Sequence, residues 1–160
     1  MRISIHNNQR RFKVCTAALK RLVRELAELA QARQPDEPPW REVAVYLLDD
    51  AGIVPVNQAV MWHEGVTDVI TQRYEPLPGE PAGLIGEVFV NVERACCAVP
   101  RRWGWSADRE LALYLAHGLD HLTGADDSTP ADRARMRRRE LSWLRKLSLT
   151  PLFRTDNIKH

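Results

Sequence analysis

Residues 106–127 read SADRELALYLAHGLDHLTGADD, and they predict a helix together with the turn that ends it. Ser106 precedes the run as a helix N-cap, and Gly124 follows it as a residue suited to a helix C-terminus. Leu111 and Leu115 recur at helical spacing between these two signals. The stretch therefore predicts a helix that ends near Leu122.

The segments on either side of this helix alternate between strand-like and helix-like patterns. Their order predicts an α+β fold: a single domain over residues 1–150, with a small mixed four-stranded sheet packed with helices and a tail over 151–160. The metal-binding helix described below lies in the C-terminal half. Strands are expected at Arg2–His6, Glu42–Leu48, Thr67–Arg73 and Leu84–Val92; helices are expected at Phe12–Ala32, Val54–Trp62, Glu93–Ala98 and from Pro130 to about Leu147.

Two histidines on the central helix have the spacing of a metal site. His117 and His121 are four residues apart, so both rings lie on one helix face. Gly124 lets the chain turn back, which brings Asp126 or Asp127 toward the imidazoles. Two imidazoles and one carboxylate form a known zinc ligand set, which also suits manganese, iron or nickel. The residues alone leave open which aspartate is the third ligand.

Two other interpretations of this histidine pair are a coincidence on a helix surface and the metal site of a zinc peptidase. Two histidines at this spacing also occur by coincidence on helix surfaces. Gly118 stands where zinc peptidases of the HExxH type carry their glutamate base, which disfavours a peptidase. Asp120 is adjacent to His121 and is expected to face elsewhere, because neighbouring helix residues diverge by about 100°.

The charge of the chain is unevenly distributed. The total is only +2, but residues 128–160 carry nine basic and three acidic residues, a net charge of +6. The other 127 residues carry 14 basic and 18 acidic residues, a net charge of −4. This asymmetry predicts an anionic partner on one face, although a solvated helix opposite an apolar stripe of Ala134, Leu141, Leu144 and Leu147 is the alternative.

The N-terminal sequence MRISIHNNQRRF lacks the apolar segment of a secretory signal, and no run is long enough to span a membrane. The three cysteines show no CxxC spacing, which is typical of reduced thiols. We therefore expect a cytoplasmic protein.

The chain resembles the YbeY family of rRNA maturation factors. The family signature HGxLHLxGxDH is similar to His117–Asp127, and the MxxxE of its following helix matches Met136 and Glu140. Residues 67–70 (TDVI) and 85–90 (IGEVFV) resemble two of its strands, so the resemblance extends from about Ile3 to Leu147.

The resemblance implies a metal-dependent endoribonuclease that acts on single strands, in maturation of the small-subunit rRNA 3′ end and in ribosome quality control. His117 and His121 match its first two metal ligands. Asp127 stands where the family has its third histidine. Met61 stands where the family has an arginine, so His63 or Arg73 would have to supply the missing positive charge. We expect one divalent metal ion, zinc first and nickel or manganese second, on His117, His121 and Asp127, which are also the catalytic candidates.

Two further hypotheses stay open: a catalytically weakened or non-catalytic metal-containing ribosome-assembly factor, and a metallohydrolase of another substrate. The expected partner is RNA, either rRNA or the small ribosomal subunit, and the oligomeric state is left open. The candidate RNA contacts are arginines of the basic segments and of one strand: Arg73, Arg101, Arg102, Arg135, Arg138 and Arg139.

Overall fold

The computed structural model describes residues 1–98 and 104–154. Within these ranges the chain forms four strands and five α-helices, the second of which continues into a π-helical turn over Asn57–Met61. Every helix described is too short or too polar to span a bilayer. The elements are β1 (Arg2–Asn7), α1 (Thr16–Ala32), β2 (Trp40–Leu48), α2 (Asp50–Val56), β3 (Val69–Tyr74), β4 (Leu84–Asn91), α3 (Val92–Cys97), α4 (Ala107–Leu122) and α5 (Pro130–Lys146).

The four strands form one sheet in the order β1-β2-β4-β3. The β1–β2 and β2–β4 pairs are parallel, whereas β3 pairs with β4 in the antiparallel direction. The predicted α+β class and mixed four-stranded sheet are therefore confirmed. Parallel pairing requires a crossover between strands, and α1 supplies it between β1 and β2.

Helix α4 has the extent that the sequence predicts, and most of its residues are buried. Ser106 caps its N-terminus by accepting a hydrogen bond from the backbone N–H of Arg109. Gly118 allows the helix to approach the sheet, because a Cβ there would lie 3.1 Å from side-chain carbons of both Val69 and Val88. This close contact fixes the neighbouring His117 relative to β3 and β4.

Helix α1 begins at Thr16, four residues later than the expected start at Phe12. The preceding residues are extended instead, since Val14 forms an antiparallel bridge with Phe153 and the N–H of Cys15 donates to the carbonyl of Leu152. Residues 151–154, which the sequence places in a tail, thus pack against the domain, and Leu152 is fully buried. Helical periodicity does not reveal this pairing, because the pairing depends on a segment that is distant in the sequence.

The buried face of α5 differs from the expected apolar stripe. Ala134 is exposed and Leu141 is only partly buried. The buried residues are instead Met136, Glu140 and Trp143. Glu140 takes a core position because it has a partner on α4, and that partner is one of the candidate metal ligands.

Candidate metal centre

His117, His121 and Asp127 converge on one point at the C-terminal end of α4. The Nε2 atoms of the two histidines are 3.0 Å apart. Oδ2 of Asp127 lies 3.3 Å from Nε2 of His121 and 3.8 Å from Nε2 of His117. All three side chains are partly buried, so the cluster is open to solvent on one side.

A tight turn after α4 brings Asp127 back to the two imidazoles. Gly124 has a φ of +89°, in the left-handed region that glycine adopts without strain. The N–H groups of Gly124 and Ala125 donate to the carbonyls of His121 and Asp120, which holds the turn against the helix end. The predicted role of Gly124 in ending the helix is consistent with this geometry, although Thr123 occupies the C-cap itself.

Asp126 and Asp127 have different surroundings. The carboxylate of Asp126 accepts hydrogen bonds from the backbone N–H and the hydroxyl of Ser128, 3.0 and 2.6 Å away. These bonds to Ser128, the hydroxyl first, lower the pKa of Asp126. Asp126 therefore stabilises the loop, and the carboxylate that faces the histidines is that of Asp127.

Each histidine is oriented by a hydrogen-bond acceptor at its other ring nitrogen. Nδ1 of His117 lies 2.7 Å from Oε1 of Glu140, and Nδ1 of His121 lies 3.0 Å from the carbonyl oxygen of Ala125. A carbonyl oxygen and a carboxylate both require a proton on the facing nitrogen. In the neutral rings, both Nε2 atoms therefore carry lone pairs toward each other and toward Asp127. A metal ion or a proton between the Nε2 atoms would remove the repulsion between these lone pairs.

The charge around His117 favours the same conclusion. Burial opposes protonation of His117, but the hydrogen bond and charge of Glu140, together with Asp68 and Asp127, raise its pKa above the ordinary value of 6.5. Glu140 is fully buried, and its Oε2 has no hydrogen-bond partner among the described residues. A carboxylate in such a place needs compensating positive charge nearby. A proton on His117, or a metal ion bound to its Nε2, would supply it.

The three ligand atoms fit a divalent transition-metal ion. With metal–ligand bonds of about 2.0–2.2 Å, two ligands of a tetrahedral ion lie about 3.3–3.6 Å apart. The observed separations of 3.0, 3.3 and 3.8 Å are distributed around this range. Two nitrogens and one carboxylate oxygen also leave a fourth position for water or substrate, as catalytic sites do.

The candidate RNA-binding arginines are dispersed, and two of those described form close ion pairs with carboxylates of the protein. Arg139 makes a bidentate ion pair with the buried carboxylate of Asp120, and Arg73 pairs with Glu37 at 2.6 Å. Arg135 pairs with Asp132 on the surface, and Arg138 is exposed. Arg101 and Arg102 lie outside the described residues.

Asp120 faces away from the histidines, as its position next to His121 predicts. It stands where the family signature has leucine, and it is fully buried between Arg139 and Arg33. From the sequence, Arg139 is a candidate RNA contact, whereas in the structure it pairs with Asp120. No spacing rule connects these two residues, because α4 and α5 have to pack together before they meet.

The residues that orient the histidines were not predicted as part of the site. Glu140 is visible in the sequence only as the last residue of the MxxxE pattern, and the carbonyl of Ala125 leaves no side-chain signal. Met61, which the family resemblance matches with an arginine, ends the π-helical turn and is 45% exposed. Of its suggested substitutes, His63 is exposed and Arg73 forms an ion pair with Glu37.

Comparison with known protein families gives one consistent result. A family model described as Endoribonuclease YbeY matches residues 4–148. A protein named Endoribonuclease YbeY from Pelotomaculum thermopropionicum is 32% identical over 154 residues, covering 94% of this chain and 99% of its own length. One with the same name from Rhodopirellula baltica is 37% identical over 128 residues; the match covers 78% of this chain and 64% of that relative.

Among solved structures, the solution structure of TM1509 from Thermotoga maritima is similar to this chain. The TM-score is 0.56 at 21% sequence identity, and the match covers 90% of this chain and 87% of TM1509. At that identity the similarity concerns the fold.

Proposed function

Because the chain belongs to the YbeY family of endoribonucleases, we propose that it cleaves single-stranded RNA by hydrolysis, with one divalent metal ion held by His117, His121 and Asp127. The observation that carries the proposal is the convergence of two imidazole Nε2 atoms and one carboxylate oxygen, with both imidazole protons directed away from the shared point. A divalent ion at this point would accept the lone pairs of all three atoms.

Each side chain of the site has a distinct task in this proposal. A bound divalent ion would polarise a phosphoryl oxygen and make a water molecule more acidic. His117 and His121 would hold the ion, and Glu140 and the Ala125 carbonyl would keep their rings in the ligating orientation. The carboxylate of Asp127 would be the third ligand of the ion. Two imidazoles and one carboxylate make zinc the first candidate, and the carboxylate, a harder ligand than imidazole, also admits manganese or nickel.

The proposed substrate is ribosomal RNA near the 3′ end of the small subunit, in maturation and quality control, and the proposed compartment is the cytoplasm. These finer assignments come from the family resemblance. The concentration of positive charge in residues 128–160 supports an anionic partner of this kind. Of the predicted contacts, Arg135 and Arg138 lie on the surface of α5, where a nucleic acid strand could reach them.

Metal analysis and an RNA cleavage assay together test the proposal. The protein, purified without a histidine tag, should bind about one equivalent of zinc and cleave a single-stranded RNA. His121→Ala should lose both properties, because two ligands hold the ion far less tightly than three. Cleavage that persists in His121→Ala would show that another site or a contaminant is responsible. Failure to bind any divalent metal would contradict the proposal directly.

Two observations favour a second candidate function, that of a metal-containing ribosome-assembly factor whose catalytic activity is reduced or lost. Asp127 and Met61 replace a histidine and an arginine of the family pattern. A carboxylate adds negative charge that repels a phosphodiester, and a missing arginine removes a cation that would stabilise the transition state. The double substitution Asp127→His with Met61→Arg should raise the cleavage rate. An unchanged rate would contradict this account of the two departures.

A further inference from the structure

A small cavity opens directly beside His117. Its volume is about 120 Å³, which leaves room for one phosphate group of an extended strand. The lining residues are Asp68, Glu110, Leu113, Tyr114, His117 and Arg137.

Arg137 lies in the middle of the α5 face that is directed at the metal centre. Residues 133, 137 and 140 are spaced by four and three, so they share one side of the helix. At one end of this row Arg133 donates to the backbone carbonyl of Asp127, and at the other Glu140 contacts His117. The position between them places Arg137 beside the cluster.

The other arginines near this face have partners within the protein, whereas Arg137 does not pair with any described carboxylate. Arg139 is bound by Asp120, and Arg133 is occupied at one nitrogen by a carbonyl. Arg137 is exposed and is the basic residue among those that line the cavity. Its guanidinium keeps its five N–H donors for an anion.

The cavity also holds two carboxylates, Asp68 and Glu110, and the donors bonded to them are neutral and leave their negative charge in place. Oε2 of Glu110 accepts the indole N–H of Trp105 at 2.6 Å, and Oδ1 of Asp68 accepts the backbone N–H of Val69 at 2.9 Å. Burial, followed by the charge of Glu110, raises the pKa of Tyr114, so its hydroxyl stays protonated. An anion in the cavity would meet the Arg137 guanidinium beside the negative charges of Asp68 and Glu110.

We propose that Arg137 binds a phosphate group of the RNA backbone in the cavity beside His117, and so sets the position of the strand next to the metal centre. The inference rests on the proposed function, because an RNA phosphate is the ligand that function supplies. A planar guanidinium can donate two parallel hydrogen bonds to a phosphate, which fixes its orientation as well as its distance. Arg137 would thus fix the position of one phosphate, and with it the position of the RNA strand, relative to the metal centre.

Binding of RNA by the metal-free protein tests this proposal without relying on activity. The probe is a short fluorescent oligouridylate in buffer with a chelator, with the dissociation constant measured by anisotropy over a series of salt concentrations. Arg137→Ala should weaken binding about tenfold, as expected for the loss of a charge-assisted bidentate contact. It should also lower the slope of log affinity against log salt by about 0.7, the value for one phosphate contact on a single strand.

Two further variants separate a specific contact from a general loss of charge. Arg21→Ala removes the same charge from the exposed surface of α1 and should leave the affinity within about twofold of wild type. Arg137→Lys keeps the charge but loses the planar fork, so it should restore the salt slope and only part of the affinity. In the metal-loaded protein, Arg137→Ala should raise KM for RNA more than it lowers kcat, with the metal content unchanged.

The outcomes distinguish this inference from the proposed function. Equal RNA affinity and salt slope in Arg137→Ala and wild type would overturn the inference, as would an equal loss in Arg21→Ala. A wild-type protein that does not bind the oligouridylate would also overturn it. The proposed function fails on a different result, the absence of cleavage that depends on His121 in the metal-loaded wild type.

Discussion

Nδ1 of His117 lies 2.7 Å from Oε1 of Glu140, a carboxylate on the next helix that has no exposed surface. This hydrogen bond determines which nitrogen of His117 carries the proton and therefore which one faces His121 and Asp127. It also places a negative charge behind the ring, which makes its Nε2 a stronger donor to a cation. The orientation of the metal centre thus depends on how α4 and α5 pack.

Replacing Glu140 by glutamine should weaken metal binding while preserving the volume of the buried side chain. The amide keeps a hydrogen-bond acceptor for Nδ1 but loses the charge, and loss of such a partner typically costs about 10–100-fold in metal affinity. Zinc titration against a chromophoric chelator measures this change. Glu28→Gln, on the exposed side of α1, is the matched control and should bind zinc as the wild type does. Wild-type affinity in Glu140→Gln would contradict the role of Glu140.

The two neighbouring aspartates should respond differently to the same substitution. Asp127→Asn should lower zinc affinity at least about tenfold, because a neutral amide is a much poorer ligand than a carboxylate. Asp126→Asn should change the affinity little and mainly affect the loop, since its carboxylate is bonded to Ser128. Equal losses in the two variants would show that the third ligand is not assigned correctly. The same zinc titration compares them.

The stability of the metal-free protein should decrease as pH rises through neutrality. The pKa of His117 is raised in the folded state above the value of about 6.5 in an unfolded chain. A group with a raised folded pKa stabilises the protein fully below the unfolded pKa and ceases to do so above the folded one. Urea unfolding in a chelator between about pH 5.5 and 8.5 should therefore show a decline that is smaller in Glu140→Gln. An identical profile in both proteins would argue against this coupling.

Removing Asp120 should destabilise the fold strongly. Its carboxylate has no exposed surface and pairs with Arg139 at 2.8 Å and with Arg33 at 3.5 Å. Loss of one partner of a buried pair typically costs about 3–5 kcal/mol, so Asp120→Ala should lower the free energy of unfolding by about that amount.

A second substitution and a surface control make the expectation about Asp120 sharper. Asp120→Leu combined with Arg139→Leu should recover most of the loss, since apolar residues can replace a buried pair. Arg135→Ala breaks only the exposed pair with Asp132 and should cost less than about 1 kcal/mol. Additive effects of the two leucine substitutions in urea unfolding would mean that Asp120 and Arg139 do not interact as described.

The local pattern of the sequence accounts for much of this fold. The spacing of apolar residues and the signals at Ser106 and Gly124 predict α4, and strand-like runs predict all four strands to within a few residues. The spacing of His117 and His121, followed by a glycine turn, predicts the metal cluster. These features are determined by residues close together in the chain, so helical and extended geometry alone suffices to infer them.

What the sequence could not supply depends on contacts between distant segments. The choice of Asp127 over Asp126 follows from the path of the loop after Gly124, and the late start of α1 follows from pairing with Phe153. The packing of α5 on α4 buries Glu140 against His117, binds Arg139 to Asp120 and leaves Arg137 beside the cavity. By itself the sequence determined the helix and its two histidines. Only the tertiary structure decided which charges are neutralised inside the protein and which remain for a ligand, because charges far apart in the chain pair only after the helices have packed.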